Sequence, residues 1–431
     1  MSREITMPAL SPAMEEGRLA RWLVAEGDFV EEGDVIAEIE TDKAVMEFEA
    51  PASGVIDAFL VTEGGAMIAV ETPIARLRDG GAATPPPAEA PAPTPPAKTR
   101  PRRARAEAPQ ETVREALRQA LIAEMREDES VFLIGEEVGA AHGAYKVSQG
   151  LIERFGAARV IDAPPLHSAI MGLATGAAFA GLRPVVEVLN LSYALQALDP
   201  LINSAAMTGS MSGGTLDCPL VLRGPHGAGE RMGAQHSHDF AALLARVPGL
   251  KLAAPYAAED AGALLRAAIR DPGPVVLLES DRLYGQAFEV PEAPALPWGQ
   301  ARIWRAGEDV TLVAYGPAVG LARTAAERLE DEGVSAEVID LRCLRPWDRE
   351  TLLESLKKTH RCVVIEEGWP VASFGKEIAT TLVQEGFDWL DAPIATLGAA
   401  DLALPAAGPL EDAALPGVEA VLRAARAVLY R

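Results

Sequence analysis

The sequence predicts a multidomain protein: a small all-β sandwich at 1–79, a Pro/Ala-rich linker at 80–109, and two α/β domains at 110–288 and 300–431. An internal repeat predicts the sandwich. Gly17, Leu23, Val24, Glu26 and Gly27 return 37 positions later as Gly54, Leu60, Val61, Glu63 and Gly64. Short apolar runs split by glycine turns and then repeated are short strands of a pseudo-twofold fold. The abrupt change to Pro and Ala near residue 80 marks the linker, because such a stretch neither packs a core nor builds a hydrogen-bond ladder. Beyond Thr112, strand-length apolar runs alternate with helical periods, the pattern of a largely parallel sheet with helical crossovers.

In the sandwich, the midpoint of the repeat falls at Glu40-Thr41-Asp42-Lys43-Ala44. A tight turn there places Lys43 at an exposed hairpin tip among acidic residues, within reach of a modifying enzyme. An ordinary surface lysine is the plainer reading, and repeat symmetry together with the Asp-Lys-Ala triplet outweighs it. Acidity is dense from Glu31 to Glu49 and reads either as a docking face for a basic partner or as a solvated face. The linker contains Ala83-Thr84-Pro85-Pro86-Pro87 and Pro91-Ala92-Pro93-Thr94-Pro95-Pro96, an extended tether of about 3 Å per residue. Such a tether keeps the lysine at high local concentration around distant sites. Lys98, Arg100, Arg102, Arg103 and Arg105 end it, and a solvated linker end fits them better than a nucleic acid or an acidic partner.

The body opens with an amphipathic helix at 113–126, then strands at 131–134, 160–162, 185–189, 220–222, 250–253 and 275–279. The weakly polar stretch 168–182 reads as a buried helix. Its Gly172, Gly176 and Ala180 form a ridge that suits close helix contact, in the core or across a subunit interface. A proline-rich join near 291–297 precedes the second unit, with strands at 310–314, 336–340 and 362–365.

Composition removes several function classes. The formal charge of −23 argues against nucleic acid as a partner. No run of about 18 apolar residues predicts a membrane span, and no apolar segment follows a basic start. Cys218, Cys343 and Cys362 lie far apart without metal-ligand spacing, as expected of a reduced, cytoplasmic protein. His226, His236 and His238 have no zinc-like neighbours of cysteine or a further paired histidine.

Residues 1–78 resemble a lipoyl domain, with Lys43 as the lipoylated lysine. A biotinyl domain shares the fold but usually carries methionine beside the lysine, where this chain has Asp42 and Ala44. Further on, many runs converge: Gly135-Glu136-Glu137-Val138, Gly143-Ala144-Tyr145-Lys146-Val147-Ser148, Ala180-Gly181-Leu182-Arg183-Pro184, Ile202-Asn203-Ser204-Ala205-Ala206, Met211-Ser212-Gly213-Gly214, and Ala234-Gln235-His236-Ser237. Through them residues 110–431 resemble the beta subunits of thiamine-diphosphate-dependent 2-oxo-acid dehydrogenases. Arg223-Gly224-Pro225 and Leu283-Tyr284-Gly285 point to the pyruvate branch.

The resemblance implies a pyrimidine-binding domain and a transketolase-like C-terminal domain, joined with an alpha subunit in a two-alpha, two-beta heterotetramer. The chain lacks the Gly-Asp-Gly that holds magnesium and the diphosphate, so the alpha subunit is expected to supply that half. A dihydrolipoyl acetyltransferase core and a dihydrolipoyl dehydrogenase are the further partners implied. Tyr193 and Gln196 fall where the family packs the aminopyrimidine ring, and Glu136 where an acidic network links two active sites. His236 matches an active-site histidine suited to exchange protons with the acyl group or the incoming lipoyl group. Leu220, Ala268, Asp271 and Gly273 match a potassium-binding loop of mostly backbone oxygens.

One position departs from the pattern. The family carries a glutamate before the small-residue helix, which hydrogen-bonds the pyrimidine nitrogen and so promotes deprotonation of the thiazolium carbon. This chain reads Ala163-Pro164-Pro165-Leu166-His167-Ser168, with His167 at that place and no acid in the segment. Imidazole donates that bond only when protonated or as one neutral tautomer. The expected function is oxidative decarboxylation of pyruvate with acetyl transfer to lipoyl-lysine, feeding acetyl-CoA formation. A branched-chain 2-oxo-acid or acetoin dehydrogenase subunit, and a catalytically impaired structural paralogue, are the alternatives.

Overall fold

A computed structural model describes residues 2–8, 16–24, 28–30, 34–40, 45–61, 67–70, 72–78, 109–290 and 295–431. Lys43 with its flanking residues, the linker and its basic end lie outside them. The chain divides into two compact units, 1–101 and 102–431.

The first unit is built of two four-stranded antiparallel sheets. Strand Glu16–Trp22 and strand Gly54–Phe59 occupy equivalent places in the two sheets, as the 37-residue offset requires. Trp22 and Phe59, themselves 37 apart, stack with ring centroids 4.3 Å apart. Ile5, Leu19, Ile36, Ile39, Ile56 and Ile74 bury one shared core, and a register shift between Val35 and Ala37 lets both Ile36 and Ile39 enter it from one strand. Strand Val35–Glu40 pairs antiparallel with strand Val45–Glu49, with Glu40 opposite Val45.

The second unit holds two α/β layers. Its seven-stranded sheet runs in the order Val160–Asp162, Val131–Gly135, Arg183–Glu187, Val221–Pro225, Val275–Glu279, Lys251–Ala253, Cys343–Arg345. The first six strands are parallel, and the last joins antiparallel from the C-terminal region. Helix Val113–Glu127 begins at Thr112, whose hydroxyl caps the Glu115 N–H, and packs on helix Ala258–Arg270. A five-stranded sheet follows, in the order Arg302–Arg305, Ala336–Asp340, Val310–Ala314, Cys362–Ile365, Ala395–Leu397. The two layers are clamped by Asp260, which takes Arg342 Nε at 2.7 Å and Arg302 Nε at 2.9 Å.

The helix expected to be buried, observed at His167–Phe179, is buried on one face only. Ile170, Met171 and Ala174 enter the core, whereas Gly172, Leu173, Gly176 and Phe179 are exposed. A Cβ placed on Gly172 or Gly176 meets nothing within 4 Å. The ridge therefore faces outward in this chain, and apolarity all round the helix reflects two apolar faces rather than full burial.

Candidate active site

Chain order in the seven-stranded sheet reverses between Val131–Gly135 and Arg183–Glu187. Ligands of open parallel sheets bind outside the carboxyl ends of the strands at such a reversal. Glu136 directly follows the first of these strands, and Tyr193 opens the short helix Tyr193–Ala197 after the second. His167 begins the helix that follows Val160–Asp162, and His236 lies on the loop after Val221–Pro225. Four residues spread over a hundred positions thus meet at one end of the sheet.

Local chemistry fixes each of them. The Asp162 carboxylate accepts the Gly139 N–H at 2.6 Å and the Ala140 N–H at 2.9 Å, tying the loop after Glu136 to the neighbouring strand. Pro164 and Pro165 disfavour helix before Leu166, so His167 becomes the first helical residue, with its ring buried. The His167 ring lies nearly parallel to Tyr193, 13° between planes and 5.4 Å between centroids. Tyr193 meets His236 on another side at 4.8 Å. His167 Nε2 and His236 Nδ1 are both buried without a hydrogen-bond partner. Burial lowers the His167 pKa below its ordinary 6.5, and the nearby Glu136 carboxylate partly opposes this.

Glu136 also lines a small cavity with Tyr145, Glu187, Arg223 and Tyr284. Inside, the buried Arg223 guanidinium bonds Glu279 at 2.8 and 2.5 Å and also reaches Glu187. Tyr284 donates to Glu279 at 2.6 Å. Burial raises the Glu187 pKa while Arg223 pulls it back. In the sequence, Arg223-Gly224-Pro225 and Leu283-Tyr284-Gly285 stand sixty positions apart as separate motifs, and the fold joins them in this network. Buried Arg next to a strand glutamate was the available signal.

The remaining sequence expectations fall elsewhere. Gln196 stands exposed on the Tyr193 helix. Leu220, Ala268, Asp271 and Gly273 lie at the opposite, amino end of the sheet. The Leu220 carbonyl accepts Val275 N–H at 2.8 Å, Ala268 accepts Asp271 N–H at 3.3 Å, and Asp271 accepts Arg183 Nη1 at 3.2 Å. His226 Nδ1 is 3.6 Å from Asp239 Oδ2, and His238 packs edge-on against Trp369 at 5.4 Å. Among the described residues no three His, Cys, Asp or Glu form a metal-ligating group. A groove of about 1080 Å³ between Arg246, Lys251, Trp347 and Phe374 contains none of the candidate residues.

Comparison with known proteins agrees with this layout. The family "Transketolase, pyrimidine binding domain" matches residues 110–286, "Transketolase, C-terminal domain" matches 299–421, and "Biotin-requiring enzyme" matches 3–77. A solved "Split gene transketolase, inactive beta4 tetramer" shares the fold at a TM-score of 0.63 and 24% identity, over 74% of this chain and 98% of that one. "Pyruvate dehydrogenase E1 component subunit beta" of Rhizobium meliloti is 51% identical over the whole of both chains. The protein of that name in Rickettsia conorii is also 51% identical, over 74% of this chain and 98% of its own. "Pyruvate dehydrogenase E1 component subunit beta-2, mitochondrial" of Oryza sativa is 50% identical over 76% and 88%. With two transketolase-type domains behind a biotin/lipoyl-type domain, and a relative 51% identical along the full length, the chain belongs to the family of pyruvate dehydrogenase E1 component beta subunits.

Proposed function

We propose that this chain is the beta subunit of the decarboxylating component of a pyruvate dehydrogenase complex, with its own tethered lipoyl domain. Pyruvate loses carbon dioxide, and its remaining two-carbon unit is oxidised to acetyl as a lipoyl disulfide is reduced, leaving one sulfur acylated and the other a thiol. The observation that carries the reading is Tyr193 set against two imidazoles, each with a buried nitrogen lacking a partner. Unsatisfied buried polar atoms cost about 1–3 kcal/mol each, and a flat polar heterocycle beside Tyr193 would satisfy them. The site therefore fits the aminopyrimidine of thiamine diphosphate. When bound, that cofactor supplies a nucleophilic carbon and an electron sink for loss of the carboxylate.

In this reading Tyr193 offers its ring face and Gln196 its carboxamide to the pyrimidine. His167 stands at the pyrimidine nitrogen as a neutral imidazole, donating from one tautomer, and Glu136 biases its protonation. His236 exchanges a proton with the acyl group or the incoming lipoyl group, supplying the proton that the released sulfur takes up as the disulfide opens. The exposed Gly172–Gly176 ridge is the surface for an alpha subunit, which brings magnesium and the diphosphate site to a two-alpha, two-beta assembly. The Leu220, Ala268 and Asp271 carbonyls each keep a second lone pair and suit a structural potassium ion, joined by Gly273. Lipoate on Lys43, contact with an acetyltransferase core and a dihydrolipoyl dehydrogenase, and a cytoplasmic setting complete the proposal. So does the division at 1–79, 80–109, 110–288 and 300–431. Three buried, unpaired cysteines support the reduced compartment.

The test is lipoyl acylation by the chain co-purified with its alpha partner, with carbon dioxide release from pyruvate and branched-chain 2-oxo acids and acetaldehyde release from acetoin. Preference for pyruvate is expected. A second reading, an assembly subunit without turnover, is favoured by His167 in place of the family's glutamate and predicts normal association with no release.

A further inference from the structure

We propose that Asn190 is a positioning residue that aims His236 at the site, a role that rests on the proton-exchange reading of His236. Asn190 is 3% exposed, between strand Arg183–Glu187 and the Tyr193 helix. Its Nδ2 donates to the His236 carbonyl at 3.0 Å, bridging 46 positions of sequence. Its Oδ1 accepts the Ser192 N–H at 2.8 Å, and its own carbonyl accepts the Tyr193 N–H at 3.0 Å. One buried carboxamide therefore ties the backbone of His236 to the start of the helix that carries Tyr193.

The orientation of that amide is determined. Turning it over would set its NH₂ against the Ser192 N–H and its oxygen against the His236 carbonyl, two repulsions in place of two bonds. A histidine in a catalytic site is usually aimed by a hydrogen bond to its second ring nitrogen. Here His236 Nδ1 is buried and has no partner, and no ring hydrogen bond of His236 occurs among the described residues. Ring contact with Tyr193, the backbone bond from Asn190 and the His236 N–H bond to the Gly233 carbonyl at 3.2 Å hold its direction. The Asn190 carboxamide is the link between the His236 backbone and the start of the Tyr193 helix, so losing its Nδ2 donor frees the His236 backbone from that helix.

The test is a double-mutant cycle on the full chain co-purified with its alpha partner, using N190S, H236A and the double variant. Serine keeps an acceptor for the Ser192 N–H but is too short to reach the His236 carbonyl. Acetyl transfer to lipoyl in N190S is expected to fall about 10- to 100-fold in kcat. KM for pyruvate should stay unchanged. In the H236A background the same change should cost nothing further. An equal loss in both backgrounds, or no loss in N190S, overturns the proposal and leaves the reading of His236 standing. A harmless H236A overturns that reading and this proposal with it. Should N190S not associate with the alpha subunit, N190D carries the same cycle, keeping the acceptor while removing the donor.

Discussion

Burial lowers the His167 pKa and Glu136 raises it, with burial the larger effect, so the ring proposed to face the pyrimidine is neutral near pH 7. A carboxylic acid there shares one proton with its neighbour; a neutral imidazole has a single N–H and must present it from the correct side. His226 gives the residue scale a separate test. Burial lowers its pKa from 6.5 to about 4, so it contributes stability above pH 6.5 that is lost as pH falls through that interval. Asp239, 3.6 Å away, is raised by burial from 3.8 to about 6 and acts oppositely, gaining stability as pH falls over nearly the same range. His226→Asn removes the unfavourable member alone. Between pH 7 and pH 4.5 the thermal midpoint of the variant should therefore fall less than that of the wild type, a difference of up to about 3 kcal/mol. Equal falls would show that His226 is not buried as a neutral ring. At this scale the sequence was only partly legible. His167 and His236 stood out through the motifs around them, whereas Asn190 acts across 46 positions that only the folded sheet brings together.

Among the elements, helix His167–Phe179 carries the most information. Its glycine ridge was visible in the sequence, but the sequence could not say whether the ridge met the core or another subunit. Exposure of Gly172 and Gly176 decides against the core of this chain. Gly172→Leu should leave the fold of the isolated chain intact, and even stabilise the helix by up to about 1 kcal/mol. It should nevertheless abolish association with the alpha subunit, as read by size-exclusion chromatography of the co-expressed pair. Retained association would place the interface elsewhere. Several parallel strands were legible because they are buried, largely apolar runs, as at Val275–Glu279, Val310–Ala314 and Cys362–Ile365. Cys343–Arg345 was not, because a three-residue edge strand has no periodicity and pairs with Leu252 and Ala253 some ninety positions away.

Over the whole molecule, a lipoyl-type unit and a two-layer body stand on either side of a Pro/Ala-rich tether, a division that composition alone exposed. Lys43→Arg should remove lipoylation, detected as loss of the mass increment on the intact chain. Carbon dioxide release with an artificial electron acceptor should persist, because the body alone holds the candidate site. Loss of carbon dioxide release along with the mass increment would place the lysine within the catalytic route. The most direct measurement is pyruvate decarboxylation by the chain with its alpha partner, run beside His167→Ala and His167→Glu. Turnover is expected in the wild type and should fall about 100- to 10,000-fold in His167→Ala, showing that an imidazole serves the pyrimidine. A silent wild type restored by His167→Glu would contradict it and identify the chain as an assembly subunit disabled at one residue.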